Sequence, residues 1–225
     1  SIREYARSFR QEYDRLHLLI NNAGVLLVPY GTTADGFERH IGVNYLGHFA
    51  LTGLLIDRLL ATDDSRVVMV SSGSHRLGRI DPDNLMVVDS EDYSALRAYA
   101  TSKLAELLFA FELQRRLTNT HMMAIAAHPG GAATGLGRHM EERPLYRGLL
   151  PLFEWLSQSA AQGARPILRA ATDPTVKGAE YYGPCGWLGM RGHPVRVRAA
   201  WSAHDEDLAR RLWSTSERLT GVRFL

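Results

Sequence analysis

Short apolar runs alternate with longer stretches of helical period along the chain. In "SIREYARSFRQEYDRL", Ile2, Tyr5, Ala6, Phe9 and Tyr13 recur every three or four residues, which predicts an opening helix. "HLLINNAG" follows as a buried strand that runs into a turn. Residues 35 to 61 read as a long helix starting near Asp35, a residue suited to an N-cap. "SRVVMVSS" is a second buried strand, residues 95 to 118 another long helix, and "HMMAIAAHPGG" a third strand that stops at a Pro-Gly break. A looser stretch rich in Gly, Pro and Arg reaches about residue 158. A helix, a short strand around "AEYYGP" and a final helix over residues 205 to 219 complete the pattern. Strands that are apolar without alternation belong in a parallel sheet whose two faces both meet helices. The expected fold is therefore α/β, a doubly wound parallel sheet. No repeat, low-complexity tract or linker divides residues 1–225, which are expected to form one domain.

Composition narrows the function classes. At 225 residues, with 45% apolar and 22% charged residues, the chain suits one globular domain with a sizeable core. Lys and Arg number 26 against 24 Asp and Glu, and a net charge of +2 argues against a nucleic-acid partner. A lone Cys185 rules out an internal disulfide framework and suits a reducing, cytoplasmic setting. It is expected to be a small buried hydrophobe. The nine histidines show no ligand spacing, so no metal site is expected. Apolar runs such as "RVVMV" fall far short of the ~20 residues a membrane span needs.

In sheets of this kind, ligands sit beyond the carboxyl ends of the strands. The unusual residues collect there. The first strand ends in Asn21-Asn22-Ala23-Gly24, the second in Ser71-Ser72 and the third in Pro129-Gly130-Gly131. Tyr99 and Lys103 stand four places apart in "AYATSKLAELL", so they share one helix face. A phenol and an ammonium held that close shift each other's proton affinity. Asn44 lies mid-helix in "GVNYLGHF", where Asn is a poor helix former.

In that order, these residues resemble the short-chain dehydrogenase/reductase family. The resemblance rests on "NNAG" at 21–24, Asn44, the second serine of "VSS" at 72, "YATSK" at 99–103 and "HPGGAAT" at 128–134. A finer match is "SSGSHRLGRIDPDNL", which is similar to the branch of retinol dehydrogenases and their bacterial relatives. That branch also inserts residues between serine and tyrosine, which here stand with 26 residues between Ser72 and Tyr99. The C-terminal "LWSTSERLTGV" is similar to the ends of those proteins. The match covers essentially the whole chain.

The resemblance implies an NAD(P)-dependent oxidoreductase with a Rossmann-type fold. A nicotinamide cofactor, NADP or NAD with the branch favouring NADP, would exchange the hydride, and Tyr99 the proton. A free phenol titrates near pH 10 and is a sluggish acid–base at neutral pH. Lys103 would stabilise the phenolate and bond the nicotinamide ribose. Ser72 would hold the substrate oxygen, and Asn44 would complete a proton relay through a water and Lys103. Asn21, Ala23 and Gly24 would pack along the adenosine side. Pro129, Gly130 and Gly131 would line the nicotinamide, and Thr134 would bond its carboxamide or phosphate. Gly130 and Gly131 can also be read as turn residues.

One departure stands out. The family opens with a strand, a T-G-x-x-x-G-x-G loop and a helix whose N-terminus holds the pyrophosphate. None of these precedes Ser1, so the family's first strands are expected to be missing from the chain, with the residue that separates NAD from NADP. The loop Gly131-Ala-Ala-Thr-Gly135-Leu-Gly137 has the same glycine spacing, but its place after Tyr99 suits the nicotinamide side better. The segment "RPLYRGLLPLFEWLSQSA", residues 143 to 160, falls where the family carries its substrate lid. Its apolar residues suit a small apolar alcohol, aldehyde or ketone. Its arginines with Trp and Phe also suit peripheral contact with a membrane surface. Self-association into a homo-oligomer is kept open, as is a catalytically inactive scaffold that uses the fold for binding.

Overall fold

The structure, a computed structural model, describes residues 1–85, 92–131 and 158–225. Thr134, the glycine-spaced loop through Gly137 and nearly all of the expected lid lie outside the described residues. The elements run α1 (Ile2–Glu12), β1 (Leu18–Asn21), α2 (Gly47–Leu60), β2 (Arg66–Val70), α3 (Ala95–Arg116), β3 (Met123–Ala127), α4 (Ala160–Thr172), β4 (Tyr181–Pro184), β5 (Pro194–Arg196) and α5 (Glu206–Thr220). The strands pair in sequence order. β1 to β4 are parallel, and β5 turns back antiparallel on β4.

Alternate residues of the central strands separate two cores. Val67, Met69, Ala124, Ala126 and Tyr181 face α2, α3 and α5. Val68, Ile125, Ala127 and Tyr182 face Ala170 and Ala171 of α4. Helices therefore cover both faces, which is why β2 and β3 read as unbroken apolar runs. An aromatic cluster ties α2, α3, α5 and the C-terminal residues together: the Phe49 ring lies 5.1 Å from those of both Trp213 and Phe224. β1 forms one edge of the described sheet, with Leu18 and Ile20 partly exposed on it.

Three expectations need correction. The helix expected from Asp35 begins later, because Gly36 takes a positive φ and a short bridge joins Thr32 to Glu38. Wide π-type turns over Ile41–Leu46 then lead into α2, with the Gly47 N–H donating to the Gly42 carbonyl. The cap is Glu38, whose carboxylate accepts the Ile41 N–H at 2.9 Å. Next, β5 has no counterpart in the apolar pattern. Its three residues are anchored by backbone bonds to β4 rather than by burial. Finally, Cys185 is exposed, since it follows β4 at the start of the turn to β5. Among the described residues, no helix is long and apolar enough to cross a membrane.

Candidate active site

The site forms where β1, β2 and β3 leave the sheet. Ser71 continues the β2–β3 register, its N–H bonded to Ala127 at 2.8 Å, so the Ser71-Ser72 and Pro129-Gly131 segments emerge side by side. Its hydroxyl donates to the Lys103 carbonyl at 2.7 Å, which fixes α3 against that end of the sheet. Lys103 is 5% exposed, and its ammonium donates to the Val70 carbonyl at 2.9 Å. It also sits 5.7 Å from the centre of the Tyr99 ring, as the four-residue spacing on α3 requires. The Tyr99 hydroxyl has no hydrogen-bond partner among the described residues, so it is available to a ligand.

Asn44 explains the wide turns. Its side-chain oxygen accepts the Val25 N–H at 2.8 Å, and its amide donates to the Val25 carbonyl at 3.1 Å and the Ser102 hydroxyl at 3.0 Å. One buried side chain thus ties the loop after β1 to α3, and π-type turns recur where a helix is bent to a functional purpose. A methyl on Gly24 would sit 3.1 Å from the same Asn44 oxygen, so that loop runs tight against it. Ala23 is exposed, whereas Asn21 turns inward and donates to Thr52 at 3.0 Å. Asn44 thus reaches the Tyr99–Lys103 helix through Ser102, whose hydroxyl donates to the Tyr99 carbonyl at 2.8 Å. Asn21 does not join them.

Ser72 is held by a histidine that sequence reading missed. The Ala200 N–H donates to His75 Nε2 at 2.9 Å, which leaves the proton on Nδ1 to donate to the Ser72 carbonyl at 2.6 Å. Burial lowers the proton affinity of His75, the Ser72 bond partly offsets this, and Arg76 lowers it further. His75 therefore stays neutral and locks Ser72 in extended backbone. Beyond α3, Glu38 and His40 pair at 2.8 Å, and the Tyr93 hydroxyl lies 3.0 Å from each. Burial pushes the Glu38 carboxyl up, but the bonds from His40 and Ile41 outweigh it and the net direction is down. The His40 ring meets Tyr99 edge-on at 6.1 Å, so this cluster packs the far side of Tyr99. The sequence reading placed Glu38 and His40 inside the helix expected from residue 35 and so gave no sign of this cluster.

The third strand's end is set by packing. Gly130 has φ +71, and a Cβ there would collide with the Met190 carbonyl. Gly131 donates to that carbonyl at 2.8 Å, and the Gln158 side chain donates to Pro129 at 2.7 Å. The reading of Gly130 as a turn residue therefore has a direct structural basis.

His128 precedes this turn and is almost fully buried. Burial drives its pKa down to about 4, with His75 and Arg76 adding repulsion. The unfolded chain, with histidine near 6.5, takes up this proton first. Stability from neutral His128 is thus complete above about pH 6.5 and is lost as pH falls towards 4. Between pH 8 and pH 5 the protein should lose about 2 kcal/mol more unfolding free energy than a His128→Gln variant. Urea unfolding at both pH values checks this, and parallel pH slopes would refute it.

Comparison with known proteins identifies the family. Residues 1–81 match the sequence profile described as short chain dehydrogenase. The chain is 42% identical over 224 residues to human retinol dehydrogenase 11, covering 99% of this chain and 66% of that protein. It is 40% identical to human retinol dehydrogenase 12, covering 100% of this chain and 67% of that one. The chain spans about two thirds of the length of the curated relatives it matches. A crystal structure of an uncharacterised protein from Mycobacterium paratuberculosis superposes with a TM-score of 0.78 at 40% identity, covering all of this chain and 73% of that one. The chain belongs to the short-chain dehydrogenase/reductase family and is retinol-dehydrogenase-like in sequence.

Proposed function

We propose that the protein is an NAD(P)-dependent oxidoreductase acting on an apolar alcohol, aldehyde or ketone, with Tyr99 as its acid–base. The observation that carries this reading is the Tyr99–Lys103 pair, clamped to the end of β2 beside Ser72 and Asn44. The residues suit a dinucleotide. Ala23 and Gly24 leave the end of β1 without side-chain bulk, and the Lys103 ammonium keeps a proton beyond those used by Val70 and Glu106. When bound, the nicotinamide supplies or takes up the hydride. Tyr99 gives its proton to the carbonyl oxygen in reduction and accepts one from the alcohol in oxidation. Lys103 stabilises the phenolate by its charge and offers its remaining proton to the ribose. Ser72, held by His75, donates to the substrate oxygen where negative charge grows.

The retinol dehydrogenase relatives favour a retinol-like apolar alcohol as the first substrate to try and NADP as the first cofactor. Contact of the lid with a membrane surface fits the same reading.

Thermal unfolding of the full-length protein with NAD, NADP and neither tests the cofactor half. A nucleotide at 100 times its Kd should add about 2.7 kcal/mol of stability, because it binds only the folded state. NADP is expected to stabilise more than NAD. Absence of any shift with either, together with no turnover of an apolar aldehyde, would favour the non-catalytic scaffold instead.

A further inference from the structure

Deep between α2 and α3 lies a carboxylate that the proposed proton chemistry does not yet use. Glu106 is fully buried, one helical turn past Lys103, and both its oxygens lie 3.0–3.1 Å from the Lys103 ammonium. His48 of α2 approaches it at 3.6 Å, with its Nδ1 buried and without a hydrogen-bond partner. The contacts repeat with helical spacing: Asn44 meets Ser102, and one turn on, His48 meets Glu106. Around them the helix contact is apolar, through Tyr45, Phe49 and Phe109. A buried ion pair in such a place is poorly explained by stability, since apolar side chains usually serve as well or better.

We propose that Glu106 is a positioning residue for the Tyr99–Lys103 pair, and that its charge sets the pH at which Tyr99 ionises. This rests on the reading of Tyr99 as the acid–base. Glu106 and Val70 take two of the three directions in which Lys103 can donate, which holds the ammonium 5.7 Å from the Tyr99 ring with one proton left to donate. The Glu106 charge also opposes that of Lys103, so it tempers the pull of the ammonium on the phenolate. The titratable groups facing Tyr99, Lys103 and Glu106 are His40, paired with Glu38, against the Tyr99 ring, His48 on α2 and Tyr181 on β4, whose buried hydroxyl is held protonated by desolvation and, to a lesser degree, by Glu106.

The test is tyrosinate absorbance in the full-length protein, titrated with base without cofactor. Subtracting the same titration of Tyr99→Phe isolates the Tyr99 signal. Glu106→Gln should move that signal about one pH unit lower, and the pH–rate profile for alcohol oxidation should move the same way. Glu106→Asp retains the charge but draws it back from Lys103, so it should shift both in the same direction by less. This variant also keeps the proposal testable if the Gln variant does not fold. A Tyr99 titration that coincides with wild type in whichever of these variants folds would overturn the proposal and leave Glu106 as a counter-ion only. Failure of the acid–base reading is a separate result, since it would appear as turnover retained by Tyr99→Phe.

Discussion

Tyr99→Phe should lower turnover by about 10²–10⁴-fold while leaving dinucleotide affinity close to that of the wild type. Only a hydroxyl is lost, and among the described residues that hydroxyl makes no hydrogen bond whose removal would strand a partner. The ring keeps its edge contact with His40 and its place above Lys103, so fold stability should change little. An effect confined to the chemical step lowers kcat and kcat/KM together. Purified Tyr99→Phe assayed at saturating cofactor checks this, with fluorescence titration of the dinucleotide alongside. Turnover within a few-fold of wild type would remove Tyr99 from the mechanism.

Lys103→Ala should damage three properties at once. Removing the ammonium leaves Glu106 as a buried carboxylate without its cation, and stranding one member of such a pair costs about 3–5 kcal/mol. The proposed ribose contact disappears too, so dinucleotide affinity should fall. Without the nearby cation, the phenolate is harder to form and the oxidation rate should reach its plateau at higher pH. Urea unfolding, nucleotide titration and the pH–rate profile measure these in turn. The double variant Lys103→Met with Glu106→Leu separates the causes: it should recover most of the lost stability, because no lone charge is buried, yet stay inactive. A single Lys103→Ala protein as stable as wild type would mean that the ion pair contributes nothing to the fold.

Several features were legible in the chain alone because local chemistry determines them. β2 and β3 are continuous apolar runs, which only strands covered on both faces can bury. α3 was bounded within two residues, since Ser94 caps its start by accepting the Arg97 N–H and the apolar period ends near Arg116. The facing of Tyr99 and Lys103 follows from helix geometry and a spacing of four. The retinol-dehydrogenase-like character was carried by short motifs in order, and the comparisons agree with it.

What the tertiary structure decided involves residues far apart in sequence. The wide turns around Asn44 depend on Val25 and on Ser102, 58 positions away, so no local propensity predicts them. The neutral state of His75 depends on Ala200, and that of His128 on burial beside His75 and Arg76. Gly130 was expected to line the nicotinamide, with a turn role as the alternative, and the tertiary structure sets the Met190 carbonyl where a side chain on it would stand. No motif or spacing singles out Glu106, and only the packing of α2 against α3 makes it the buried partner of Lys103. Periodicity, capping and motif order are written within a few residues of each other, so the chain alone determined β2, β3, α3 and the Tyr99–Lys103 face. Burial, protonation and the choice of counter-ion are set by whichever groups the fold brings together, and these came only with the tertiary structure.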